Sequence, residues 1–365
     1  MQPKILILTA SFGDGHNSAA RNLASALHGK AEVILADPCD LGNPTINRLL
    51  IRAYRQVTTY APRIWAWIYR STDKQDFSKP LPFISKTEKA VAKLITDNQP
   101  DVIVNTYPIY PHMVARHFDG ASPIPIVTII TDSLEINAAW SRSPSHHFLV
   151  TDHHTEEVLI NKEIPEEKIN ITGFPVSPLF ETLPKIDAEA PITKENPFRV
   201  LFFPTARSPH VTSIMEAVLA QDTNVTVVLG RNTRWLYKKA HALKQKYPNR
   251  IKIKGWTKKV PELLTSHHLV IGKAGGATVH EAIAAQCPML VHQIVPGQEE
   301  GNIELLERYQ TGALATTPVK IKTALTDLLA NDAKEWREQK RRLLKVTKPL
   351  ASHHAADFIL SLTNS

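Results

Sequence analysis

"ILILTASFGDGHNSAARNLASAL", residues 5–27, runs from an apolar β-branched stretch through a glycine-rich turn into a helical pattern. Ala19, Ala20, Leu23, Ala24 and Leu27 recur at helical spacing and give the second half one apolar face that ends near Gly29. Strand, turn and helix in that order form the opening unit of an α/β fold. The unit repeats outward. "AEVILA", "PDVIVNT", "IPIVTIIT" and "HHFLVT" alternate with helical segments up to about residue 160, the pattern of a doubly wound parallel sheet. After the polar, Pro-containing stretch "ETLPKIDAEAPITKENP" (181–197), read as a linker, the pattern restarts with "FRVLFFP", "NVTVVLG", "RIKIKG", "HHLVIGK" and "CPMLVHQ". Two domains are therefore expected, 1–185 and 195–345, with a closing helix over 346–365 that returns to the first domain.

The chain of 365 residues exceeds one ordinary core, which agrees with two domains. No run of about 18 apolar residues could span a bilayer, and the short apolar run at the N-terminus is interrupted too soon for a signal peptide. Cys39 and Cys287 are the only cysteines and have no zinc or disulfide spacing, so a reducing cytoplasm is the expected compartment. The formal charge of +8 favours an anionic partner. Nucleic acid is not expected, because no recognition motif accompanies the charge. No metal site is expected either. The histidine pairs 146–147, 153–154, 267–268 and 353–354 lack ligand periodicity and read as surface or loop residues.

Ligands of open parallel sheets sit beyond the carboxyl ends of the strands. There the opening loop carries Ser11, Gly13, Asp14, Gly15 and His16, with His16 at a helix N-terminus. The helix dipole disfavours the imidazolium there, which suits a general base. Taken alone, the same residues fit a turn whose histidine caps the helix. No reason for Asp14 emerges. A second stretch, "GKAGGATVHEAIAAQCPMLVHQIVPGQEEGN" (272–302), says more. Gly275 and Gly276 let backbone approach a phosphate, Ala277 and Thr278 open a helix whose N–H groups favour an anion, and Glu281 lies one turn in, where a carboxylate can accept ribose hydroxyls. Gln298 and Glu299 offer an amide and a carboxylate side by side, as a polyhydroxylated ring requires.

This second stretch resembles the donor-site signature of the glycosyltransferases that include monogalactosyldiacylglycerol synthase, the processive diacylglycerol glucosyltransferases and the N-acetylglucosaminyltransferase that makes lipid II. "SFGDGHNSAARNLASAL" is similar to their N-terminal glycine-histidine motif, and "ITGFPVSPLF" (171–180), "VVLGRN" (227–232) and "IKGWTKKVPELL" (253–264) follow in the family's order. The resemblance implies a GT-B architecture, two Rossmann-like domains facing across a cleft. It implies an inverting, metal-independent transfer of a hexose from a UDP-sugar, with no cofactor, to a lipid hydroxyl such as that of diacylglycerol. On this reading His16 is the base and Gly15 brings backbone close to the reacting groups. Gly275 to Thr278 stabilise the diphosphate, Glu281 binds ribose, and Gln298 and Glu299 bind the sugar. Backbone around Gly255 and Trp256 holds the uracil, with Asn302 supporting the loop.

The chain departs from the family in two places. "FFPTARSPHVTS" replaces a glycine-rich turn, leaving Thr205, Arg207 or Ser208 as phosphate contacts, and "TDSLEINAAW" keeps Thr131, Asp132 and Trp140 but no histidine. Asp132 is a candidate to orient a catalytic group, and capping a helix fits its position equally. Another acceptor, such as a polyprenyl-linked sugar, or nucleotide-sugar binding without transfer stay open, as does the identity of the sugar.

The candidate for membrane contact is "INRLLIRAYRQVTTYAPRIWAWIYRSTDK" (46–74). Its apolar faces, Leu49, Leu50, Ala53, Tyr54 and Val57, then Ile64, Trp65, Ile68 and Tyr69, are edged by Arg48, Arg52, Arg55, Arg63 and Arg70. Such stripes are commonly core. With the resemblance, the expectation becomes peripheral attachment to an anionic membrane at its inner face.

Overall fold

The computed structural model describes residues 2–80, 84–205, 210–230 and 234–364. They form two compact units: Met1–Pro178 with Val295–Gly301 and Leu350–Ser365, and Leu179–Ile294 with Asn302–Pro349. Each unit is built on a six-stranded parallel sheet.

In the first unit the strands β1 (Lys4–Leu8), β2 (Glu32–Ala36), β3 (Val102–Asn105), β4 (Ile126–Ile129), β5 (His147–Val150) and β6 (Ile169–Ile171) lie in the order β2-β1-β3-β4-β5-β6. Alternate residues serve opposite faces. Ile5, Ile7, Val102 and Val104 pack under helix α1 (Asp14–Leu27) and the closing helix Ala351–Ser361, through Leu23, Leu27, Ala355 and Ile359. Leu6, Leu8 and Ile103 pack on Val91, Ile95 and Met113. Each such side chain, removed from water, contributes roughly 1.5–3 kcal/mol before conformational entropy is charged. The closing helix is tied down by the Ser352 hydroxyl, which donates to the Val176 carbonyl, and by Lys30–Asp357 at 2.9 Å.

In the second unit β7 (Phe198–Phe202), β8 (Thr223–Val228), β9 (Ile251–Lys254), β10 (Leu269–Lys273), β11 (Met289–Gln293) and β12 (Gly312–Leu314) take the order β12-β11-β10-β7-β8-β9. Phe198, Phe202 and the fully buried Trp336 centre its core. The stretch read as a linker is anchored in this unit: Arg337 donates to the carbonyls of Ala188, at 2.6 Å, and Ala190. The long helix Pro318–Val346 is broken where Asn331, Asp332 and Ala333 take left-handed backbone angles.

One expectation needs correction. His267 and His268 are not surface residues but core ones. His267 Nε2 lies 2.8 Å from the Thr226 hydroxyl and its Nδ1 2.6 Å from the Leu263 carbonyl, while His268 Nδ1 accepts from the Arg199 N–H at 3.0 Å. Burial lowers their pKa values to about 4 and about 3, so both are neutral polar fillers. Among the described residues no helix is long and apolar enough to cross a membrane, and no cluster of His, Cys, Asp and Glu could hold a metal ion.

Candidate functional site

In the first sheet the strand order reverses between β1 and β3, and the chain beyond their carboxyl ends builds the site. After β1, Gly13 takes φ +98°, a conformation that side-chain-bearing residues avoid, and α1 starts at Asp14. Hydrogen bonds pin this loop: Thr9 to Asn17 at 3.0 Å, Asn17 to Ser11 at 3.1 Å and Ser11 to Asp37 at 2.9 Å. A Cβ placed on Gly15 would meet nothing within 4 Å.

His16 thus sits in the first turn of α1 and is 7% exposed. Its Nδ1 lies 2.9 Å from the hydroxyl of Thr131, just beyond β4, and its ring meets Tyr107 edge-on and Trp140 at a tilt, at 5.2 and 6.0 Å. Burial lowers its pKa to about 4, against a smaller upward pull from a hydrogen bond with the Thr106 backbone. The imidazole is neutral, as read from the sequence, but the leading cause is desolvation rather than the helix dipole.

Asp132 faces a different partner. Its carboxylate accepts from Trp140 Nε1 at 2.8 Å, and the adjacent helix Ala138–Ser141 is capped by Asn137 instead. Burial and, less strongly, the charge of Glu299 raise the Asp132 pKa to about 6, against the hydrogen bond from Trp140.

Glu299 reaches this neighbourhood because the loop Val295–Gly301 belongs to the first unit. The buried Glu299 carboxylate accepts from the Val295 N–H at 2.8 Å, and Gln298 Oε1 accepts from the Tyr54 hydroxyl at 3.1 Å. A Cβ on Gly301 would lie 1.8 Å from the Ser133 carbonyl, so only glycine fits there. His16, Asp132, Gln298 and Glu299 are therefore all carried by one unit. Thr131 and Tyr54 were given no role at this site by sequence reasoning. Thr131 lies immediately beyond a strand's carboxyl end, the place searched for His16, and could have been found there.

The second unit carries the remaining candidates along the carboxyl ends of its strands. β10 runs into Gly275, which caps the helix Gly276–Ala284 and leaves the N–H groups of Gly276, Ala277 and Thr278 in its first turn. Asn302 Nδ2 donates to the Ala274 carbonyl at 2.9 Å and so braces this loop. Glu281 lies one turn further and is half-buried. Gly255 and the exposed Trp256 follow β9 at the sheet edge, with β7 and β8 between β9 and β10. Thr205 donates to Gln293 Oε1. Arg207 and Ser208 lie outside the described residues, as do Arg231 and Asn232 of "VVLGRN".

The amphipathic segment forms helices α2 (Pro44–Tyr60) and α3 (Pro62–Ser71). Tyr54, Trp65 and Tyr69 turn inward, whereas Leu49 at 64% and Trp67 at 71% exposure face outward with Ile46, Leu50, Tyr60 and Ile64. The stripe is thus only partly core.

Residues 16–176 match the family model for monogalactosyldiacylglycerol (MGDG) synthase. The chain is 27% identical to a processive diacylglycerol beta-glucosyltransferase of Bacillus cereus, over 98% of this chain and 94% of that protein. Its fold is similar to that of MurG from Acinetobacter baumannii, with a TM-score of 0.62, 16% identity and coverage of 98% of this chain and 100% of that one. It is also similar to Anabaena Alr3699/HepE, solved in complex with UDP-glucose, with a TM-score of 0.54, 15% identity and coverage of 98% and 99%. Residues 16–176 thus carry an MGDG synthase-type domain, and over nearly its whole length the chain is similar to the processive diacylglycerol glucosyltransferases and shares the GT-B fold of MurG.

Proposed function

We propose that this protein transfers a hexose from a UDP-sugar to the hydroxyl of a membrane lipid, with diacylglycerol as acceptor and inversion at the anomeric carbon. The observation that carries the reading is His16, a buried imidazole kept neutral and hydrogen-bonded to Thr131 at the switch point of the first sheet. A neutral imidazole carries one N–H, which Thr131 or the Thr106 carbonyl can accept, and the other ring nitrogen holds the lone pair a base needs. It takes the acceptor's proton as the acceptor oxygen bonds to the anomeric carbon from the face opposite UDP. The bond from that carbon to the diphosphate oxygen breaks, and UDP leaves with the electron pair. The N–H groups of Gly276, Ala277 and Thr278 stabilise the leaving charge. Glu281 holds the ribose, the chain at Gly255 and Trp256 the uracil, and Gln298 and Glu299 the sugar hydroxyls. Asp132 sets the charge beside them. The exposed apolar residues of α2 and α3, edged by arginines, support attachment to the inner face of an anionic membrane, where the acceptor resides. The relatives' activity on diacylglycerol supports that acceptor.

The test is an assay of the purified protein with UDP-glucose, UDP-galactose and UDP-N-acetylglucosamine against diacylglycerol vesicles. Donor-dependent glycolipid should form, and His16→Ala should lower kcat by about 10²–10⁴ while donor KM changes little. Nucleotide binding without product for every donor would overturn the reading. Full activity of His16→Ala would remove the base assignment alone.

A further inference from the structure

We infer that Tyr54 is a positioning residue for Gln298, so that the helix pair α2–α3 seats the sugar-binding loop and takes part in donor recognition. The inference rests on the reading of Gln298 as a sugar contact. Its basis is the way the loop Val295–Gly301 meets these helices. The Tyr54 hydroxyl lies 3.1 Å from Gln298 Oε1. An amide whose oxygen is engaged as an acceptor has its Nε2 end left to donate, which fits it to the lone pair of a sugar hydroxyl.

The phenol that makes this contact is itself held. Trp65 meets the Tyr54 ring edge-on at 4.8 Å, and Phe12 of the opening loop does so at 6.3 Å. On either side of Gln298 the loop is braced by the same helix pair. Gly297, at φ +82°, passes so close that a Cβ would lie 3.3 Å from Ala66 Cα, and Glu300 lies 3.7 Å from the Arg70 guanidinium. The loop's amide is therefore oriented by a side chain from a helix 244 positions away in sequence. The hydroxyl's contact is with Gln298, and its effect on the sugar runs through that amide.

Calorimetric titration of the full chain with UDP, UDP-glucose and UDP-galactose separates the nucleotide's contribution from the sugar's. Tyr54→Phe, which keeps the ring and removes only the hydroxyl, should leave UDP affinity within twofold. It should weaken the better-bound UDP-sugar about five- to tenfold, the scale of one lost hydrogen bond. Combined with Gln298→Ala, it should add nothing to the loss caused by Gln298→Ala alone. A merely structural role would weaken UDP and UDP-sugar together, or add to Gln298→Ala, and either result overturns the inference. So does a Tyr54→Phe variant that binds the UDP-sugar like the wild type. If Gln298→Ala itself binds the UDP-sugar normally, the sugar-contact reading fails first and takes this inference with it.

Discussion

At the scale of single residues, the buried His16 and the half-buried Asp132 carry opposite shifts. His16 is held neutral, its pKa near 4, whereas the Asp132 carboxyl is pushed up to about 6. The consequences for stability have opposite signs. Between pH about 6.5 and 4 the unfolded chain binds the His16 proton and the folded chain does not, so acidification through that window destabilises the fold. For Asp132 the folded state holds its proton more tightly, so the stabilisation present at low pH is lost as pH rises through 6. Asp132→Asn mimics the neutral form. It should therefore raise stability at pH 8 by about 1–2 kcal/mol, after allowance for the partial exposure of the side chain, and a thermal melt of each protein at that pH reads the gain. The same variant should shift kinetics: if the Asp132 ionisation sets the acid limb of kcat/KM, that limb should stand near pH 6 in the wild type and fall by more than one unit toward the His16 value in the variant. A limb that stays at pH 6 to 7 in Asp132→Asn would show that the ionisation belongs elsewhere.

Among the elements, the turn from β1 into α1 puts local stability against chemistry. Gly15 has ordinary helical surroundings and open space where a Cβ would stand, and glycine within a helix costs roughly 0.5–1 kcal/mol against alanine. Gly15→Ala should hence melt at the same temperature or slightly higher. If the backbone there approaches the reacting groups, the added methyl should nonetheless lower kcat/KM at least tenfold, and unaltered kinetics would remove Gly15 from the site. The turn was legible in the sequence because its parts are local: an apolar run, glycines and a helical stripe. The strand pattern disclosed both sheets for the same reason. The partner of His16 was not legible. Thr131 lies 115 positions away, and only the pairing of β1 with β3 and of β3 with β4 brings the two side chains together. Nor could periodicity foresee the seating of Val295–Gly301 on the first unit, where Gly301 passes so close to the Ser133 carbonyl, far away in sequence, that a Cβ would lie 1.8 Å from it. The burial of His267 and His268 was hidden likewise, since paired histidines look polar until Thr226, Leu263 and Arg199 supply their hydrogen bonds.

For the whole molecule the charge is unevenly placed. The excess of +8 is modest for 365 residues, yet residues 44–71 hold five arginines and no acidic side chain. The same helices display Leu49, Leu50, Ile64 and Trp67 to solvent, which costs free energy unless an apolar phase covers them. Charge and exposed apolar surface on one helix pair define an anionic interface better than either feature alone, because electrostatics falls off with salt and burial does not. Each arginine near such a surface contributes about 1 kcal/mol, and raising the salt from 0.1 to 1 M shortens the screening length from about 10 to 3 Å. Binding to phosphatidylserine-containing vesicles, followed by flotation, should accordingly weaken at least tenfold between 0.1 and 0.5 M NaCl and leave a salt-resistant remainder. That remainder is the apolar part. Leu49→Ser with Trp67→Ser should abolish it without lowering the melting temperature, because both side chains are largely exposed. Vesicle binding that ignores both salt and this double substitution would place the membrane contact on another surface of the molecule.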